Sequence, residues 1–213
     1  MARGRFIVFE GGEGAGKSTQ MEILAHRLDL SGVRTLTTRE PGGTPFAEIV
    51  RQKLLTGEHA ANGPEVEALL VNAGRVDHLD TVIRPALARG EWVLCDRFTE
   101  STLVYQAVVA GGDRGFITAL NDRVVGTDRP DLVVLIDLAT DVAMARVADR
   151  TDKTPDRWDR STRSGFETIR TAYLDFAAAD PDCHVVIDGE GAPEDVADRI
   201  WAAIAERFVP EQV

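Results

Sequence analysis

The sequence predicts an α/β fold built on a five-stranded parallel sheet with helices on both faces. Two observations point there. Five short apolar runs alternate with longer segments whose apolar residues recur every three or four positions, and a glycine-rich turn of the phosphate-binding pattern follows the first run directly. The runs are Arg5 to Phe9, Val33 to Thr37, Trp92 to Cys95, Leu132 to Ile136 and His184 to Ile187. Most are rich in Val, Ile, Leu or Phe, as strands covered on both faces must be.

The intervening segments read as helices. Lys17 to Leu30 follows the first strand, and Pro64 to Ala88 precedes the third, with Pro85 set to end or kink it. Asp141 to Arg150, Thr162 to Ala179 and Pro193 to Phe208 complete the pattern. Between the first two of these, six basic residues alternate with four aspartates from Arg146 to Arg163, and Pro155 breaks the middle. This segment, about 146–163, reads as a mobile lid.

The chain has 213 residues, no internal repeat and no Ser/Gly-rich linker, so a single domain spanning 1–213 is the simplest organisation. Thirty-five acidic residues against 24 basic ones leave a net charge of −11. That field does not favour nucleic-acid backbones or anionic membranes, so an anionic ligand must be captured locally. Cys95 and Cys183 lie far apart without C-x-x-C spacing, which argues against a disulfide framework or zinc site and for buried thiols in a reducing compartment. The short run Phe6 to Phe9 is too brief for a signal segment, and the expected location is the cytoplasm.

The strongest chemical signal is Gly11-Gly12-Glu13-Gly14-Ala15-Gly16-Lys17-Ser18, an unbroken G-x-x-x-x-G-K-[ST], followed by Thr19. Glycines let successive backbone N–H groups point inward, and the helix N-terminus adds its partial positive charge. Lys17 is then a point charge for β/γ-phosphates, and Ser18 a hydroxyl ligand for Mg²⁺. A triphosphate fits that nest of amides, and the loop alone does not separate kinases from switch GTPases, ATPases or transporters. The N-K-x-D pattern of guanine-reading switches does not occur.

A second anion-binding cluster, Arg39-Glu40-Pro41-Gly42-Gly43-Thr44-Pro45, follows the second strand at the edge where open α/β sheets place ligands. Arg39 has the fork geometry for a phosphate. The third strand ends in Asp96-Arg97, a carboxylate suited to a Mg²⁺-bound water and a guanidinium able to bridge two phosphates. Transfer between two phosphates accounts for these residues together. A phosphate monoester, with its second pKa near 6, is already a competent anion at neutral pH and needs no general base. Consistent with this, the four histidines are scattered. The phosphate loop from Gly11 to Ala15 contains no arginine, so the lid is expected to supply cations from Arg150, Lys153, Arg157 and Arg160.

In combination these motifs resemble the thymidylate kinases over almost the whole chain. The resemblance runs through Phe9 to Thr19, Arg39 to Pro45, Leu69-Leu70 to Arg75, and Asp96-Arg97-Phe98 with Ser101 and Tyr105-Gln106. Arg129-Pro130-Asp131 and Asp156-Arg157 add weaker matches. It implies a P-loop nucleoside monophosphate kinase fold, ATP and thymidylate (dTMP) as substrates, Mg²⁺ as cofactor, and a homodimer. It further implies that Arg39 binds the 5′-phosphate of thymidylate and that Arg97 lies between the phosphates. Arg75, Ser101, Thr102 and Gln106 face the thymine or its neighbourhood, and Tyr105 crowds the 2′ position of the sugar. An arginine-free loop bearing Glu13 looks like the lid-arginine type, with Arg157 as the catalytic lid residue. The Mg²⁺ water shell falls to Asp96 or Glu10. One departure stands out. Val71 occupies the position where the family usually places an aromatic that stacks on thymine, which leaves apolar contact from Val71, replacement by Phe46 or Phe98, and a weaker or relaxed base preference as expectations.

Two other readings compete. One is a kinase for another nucleoside monophosphate, or for a nucleoside, on the same scaffold. The other is a non-catalytic ATP-binding regulatory module, for which the full set of Lys17, Ser18, Arg39, Asp96 and Arg97 would be superfluous.

Overall fold

The computed structural model describes residues 3–57, 60–151 and 157–208. Its five strands form one parallel sheet in the order β2 (Thr35–Arg39), β3 (Trp92–Asp96), β1 (Phe6–Glu10), β4 (Leu132–Asp137) and β5 (His184–Asp188). Alternate residues of the strands serve opposite layers. Ile7, Phe9, Leu94 and Val134 pack with Met21, Leu24 and Leu28 of α1 (Lys17–Leu30) and Val196, Ile200 and Ile204 of α9 (Pro193–Phe208). Phe6, Val8, Val93 and Cys95 face the other layer, formed by Leu79, Ile83, Leu87, Phe98 and Val125. Each fully buried side chain of this kind contributes roughly 1.5–3 kcal/mol, so both faces of the central strand hold the sheet in place.

The strands run further towards their carboxyl ends than their apolar runs do. β1, β3, β4 and β5 end on Glu10, Asp96, Asp137 and Asp188, polar residues that still complete the ladder. β2 starts at Thr35 rather than Val33, because the Val33 N–H is spent on the Leu28 carbonyl at 2.9 Å in the turn after α1. Register places Arg39 beside Asp96, and Asp96 beside Phe9. The edge that carries the phosphate loop therefore also carries Arg39 and the Asp96-Arg97 pair.

Pro85 does not break the long helical stretch outright. α3 (Pro64–His78) opens into a π-helical turn over Leu79–Ile83, and α4 (Arg84–Ala88) begins afresh with Pro85 in its first turn, where no N–H is needed. Three helical stretches lacked an assignment in the sequence. α2 (Pro45–Thr56) is capped by Thr44, whose hydroxyl accepts the Ala47 N–H at 3.0 Å. α5 (Thr99–Thr102) continues as a π-turn over Leu103–Val109, and α6 (Arg114–Val125) is capped by Asp113. α7 (Thr140–Ala148) ends two residues earlier than expected, and α8 (Arg163–Ala179) follows a turn at 157–160. Lys153, with the rest of 152–156, lies outside the described residues. Among the described residues, no helix is long and apolar enough to cross a membrane.

Candidate functional site

A cavity of about 360 Å³ opens at the carboxyl edge of the sheet, lined by the phosphate loop, α2, α3, the Asp96-Arg97 turn, the π-turn and the lid. The loop depends on its glycines. Gly11 has φ 143° and Gly14 φ 77°, and a Cβ at either would come within 2.6 Å of a backbone carbonyl oxygen, that of Ile136 or Ala143. α1 then starts with Gly16 as its cap and no side-chain capping bond, so the amide groups of its first turn are left for a ligand. Lys17 is buried, its ammonium donating to the carbonyls of Gly11 at 3.0 Å and Gly12 at 3.1 Å. Burial, followed by the nearby Arg97, lowers its pKa against the pull of Asp96, Glu13 and Glu10.

Arg97 has φ 69°, a left-handed backbone that costs a non-glycine residue roughly 1–2 kcal/mol. Its side chain offsets this cost. The guanidinium donates to Glu13 at 2.7 Å, to the Tyr173 hydroxyl at 2.9 Å, and to Ser101 and the Gly11 carbonyl at 3.2 Å each, and lies 5.0 Å from the Tyr105 ring centre. Burial works against its charge, but Glu13 and the tyrosines outweigh it, and its pKa rises well above the ordinary arginine value. Glu13 accepts from Arg97 at 2.7 Å and from the Tyr105 hydroxyl at 2.9 Å.

Ser18 donates to Asp96 at 3.3 Å, and the other Asp96 oxygen, Oδ1, is buried with no hydrogen-bond partner in the structure. A hydroxyl beside a carboxylate with an unsatisfied oxygen is a donor set that fits a hydrated Mg²⁺. Glu10 is placed differently. It is fully buried and accepts from the Phe98 and Ser101 amides and the Ser101 hydroxyl, at 2.8, 3.3 and 2.7 Å, so its carboxylate holds the Asp96-Arg97 turn rather than lining the cavity.

On the opposite wall, Arg39 donates to both oxygens of Glu48 at 3.0 Å. Sequence reasoning missed its neighbour Arg51 on α2, which bonds the Pro41 carbonyl at 3.1 Å. Burial and then the like charge of Arg39 lower the pKa of Arg51. Its signal was the helical spacing after the Thr44 cap, hidden by the glycine- and proline-rich stretch before it.

Arg75 lines the same cavity, yet all five of its N–H groups are spent inside the protein. They go to Glu40 at 2.7 Å, Asn72 at 3.0 Å, Asn121 at 2.9 Å, the Phe98 carbonyl at 3.1 Å and Thr102 at 2.9 Å. The resemblance implies that it faces the thymine or its neighbourhood; at the cavity wall it also ties α3 to α5 and α6. Ser101, Thr102, Tyr105, Gln106 and Val71 are all at the cavity wall, with Val71 in an apolar cluster beside Val50 and Leu54. Neither suggested replacement aromatic suits a stack. Phe46 is absent from the cavity wall, and Phe98 is 1% exposed, packed edge-on to Phe6 with Arg75 over its ring.

The lid also differs from expectation. Arg157 does not line the cavity. Its two terminal nitrogens each donate to one oxygen of buried Glu67 at 2.6 Å, a planar fork on a planar carboxylate, and Glu67 also accepts from Gln106 at 3.1 Å. Arg150 is the lid arginine at the cavity wall, paired with Asp159 at 3.4 Å, and Arg160 is exposed. Glu67 on α3 and Trp158 beside Arg157 were both missed in the sequence.

Comparison with known proteins gives a single family. The family model described as thymidylate kinase matches residues 9–200. Proteins named thymidylate kinase from Rhodopseudomonas palustris and Bradyrhizobium diazoefficiens are each 47% identical over 209 residues, covering 97% and 98% of this chain and 91% and 92% of theirs. One from Nitrobacter winogradskyi is 46% identical over 206 residues, covering 96% of this chain and 90% of its own.

Proposed function

The chain belongs to the thymidylate kinase family, and on that premise we propose that it phosphorylates dTMP to dTDP with ATP as donor and Mg²⁺ as cofactor. The observation that carries this reading is one cavity with two anion-binding walls, the phosphate loop with Lys17 on one side and Arg39 with Arg51 on the other, and Arg97 between them. A donor and an acceptor that both end in phosphate fit such a cavity. An acceptor phosphate oxygen bonds to the γ-phosphorus as the bond from that phosphorus to the β–γ bridging oxygen breaks, and ADP leaves with the electron pair. Lys17 and the loop amides at Gly11 to Thr19 hold the donor, Arg39 and Arg51 orient the acceptor, and Arg97 spans the charge that develops between them. Arg150 supplies lid charge at the cavity wall. Arg157, forked on Glu67, latches the lid tip.

Ser18 and Asp96 are the residues that would hold Mg²⁺, Ser18 directly and Asp96 through water. Bound there, the ion neutralises phosphate charge. Replacing Asp96 by Asn is expected to raise the Mg²⁺ concentration for half-maximal rate about tenfold. A magnesium titration of the rate checks this, and an unmoved midpoint removes Asp96 from the metal site.

The substrate is tested by measuring diphosphate formation from ATP with dTMP, dUMP and dCMP. The highest kcat/KM is expected for dTMP, with dUMP about tenfold lower for want of one methyl group. Better use of either competitor would reassign the acceptor, and no diphosphate from any would favour a regulatory module.

The same reading includes two copies of the chain. α3 buries one face, and Val66, Leu69 and Val76 on it are 36%, 47% and 44% exposed, an apolar stripe suited to a second copy. The cytoplasm suits free thiols such as Cys95, whose pKa burial pushes well up, leaving it unreactive.

A further inference from the structure

We propose that Trp158, delivered by the lid, is a specificity-determining residue that forms the aromatic wall against the acceptor's nucleobase. The inference rests on the acceptor being a nucleoside monophosphate, as proposed above.

Among the described residues, three aromatic side chains line the cavity: Phe98, Tyr105 and Trp158. Phe98 is almost fully buried under Arg75, as described. Tyr105 is 6% exposed, with the Arg97 guanidinium over its ring and its hydroxyl spent on Glu13. Trp158 is half-buried at the same wall. Its ring centre lies 4.6 Å from that of Tyr105 at 55°, and the Arg157 guanidinium sits 4.2 Å from its centre.

That placement is held from several directions. Arg157 carries the indole on one side and forks onto Glu67 on the other, Glu67 takes Gln106 from the π-turn, and the Trp158 carbonyl accepts the Ser161 N–H at 3.0 Å. The same cavity wall also carries the aliphatic side chains of Leu54, Leu55 and Val71. A planar base gains most from an aromatic face, and every base has one, so the indole contributes binding and the aliphatic residues shape the pocket. Because the indole and the Arg157 latch are adjacent residues, the base and the docked lid stabilise each other.

Steady-state kinetics of Trp158→Ala and Trp158→Phe test the assignment. For Trp158→Ala the acceptor KM is expected to rise about tenfold with the ATP KM unchanged, and Trp158→Phe to return most of the loss. A second measurement does not depend on the lid tolerating alanine. The other tryptophans, Trp92 and Trp201, pack against the α1–α9 core, so a variant with both changed to Phe leaves Trp158 as the only indole, and dTMP is expected to shift its fluorescence. An acceptor KM unmoved in Trp158→Ala, an ATP KM rising equally, or fluorescence indifferent to dTMP would overturn the proposal. If the unaltered chain fails to turn over dTMP, the functional reading fails first and this one with it.

Discussion

Replacing Lys17 by Ala is expected to lower kcat by about a thousandfold while leaving the fold intact. The ammonium is buried against two loop carbonyls, so it is held where charge on transferring phosphates must be met. Its removal leaves no strained core, because burial already disfavours the charged form. Turnover near the unaltered level, with circular dichroism unchanged, would refute the role. The same environment gives a pH signature. With its pKa lowered by burial and Arg97, Lys17 loses its proton below the ordinary lysine value of about 10.4, so kcat/KM for ATP should fall on the alkaline side earlier than an exposed lysine would allow. Bound phosphates favour the ammonium, so the limb in kcat should lie at higher pH.

Changing Arg75 to Met is expected to be the most damaging substitution for stability, at about 3–5 kcal/mol. It strands buried Glu40, leaving His78 at 3.0 Å as its remaining side-chain partner, and removes donors from Asn72, Asn121, Thr102 and the Phe98 carbonyl. For a chain of this size that is a fall in Tm of roughly 10 °C, measured by thermal denaturation. A fall of only a degree or two would mean that the network contributes little beyond packing.

The contrast between these two residues marks what a sequence can disclose. Lys17 was legible because its partners lie within the same eight-residue motif, and the strands because covered strands must be apolar. Arg75 was legible as a site residue but not as a tie, since its five acceptors lie up to 46 positions away from it in the chain. Arg51 and Trp158 are ordinary in their local context and acquire meaning only when α2 and the lid fold over the same edge. α2 itself was masked because the glycines and prolines at 41–45 read as a loop, although Thr44 and Pro45 were its start signal.

Arg39 with Glu48, Arg97 with Glu13 and Arg150 with Asp159 form a set of incumbent couples around one opening. A lone anion gains little by evicting one of these carboxylates, since it trades like for like. A ligand carrying several linked phosphoryl groups displaces several at once, so the site discriminates by valence: it is expected to ignore sulfate and inorganic phosphate at concentrations where tethered phosphates saturate it.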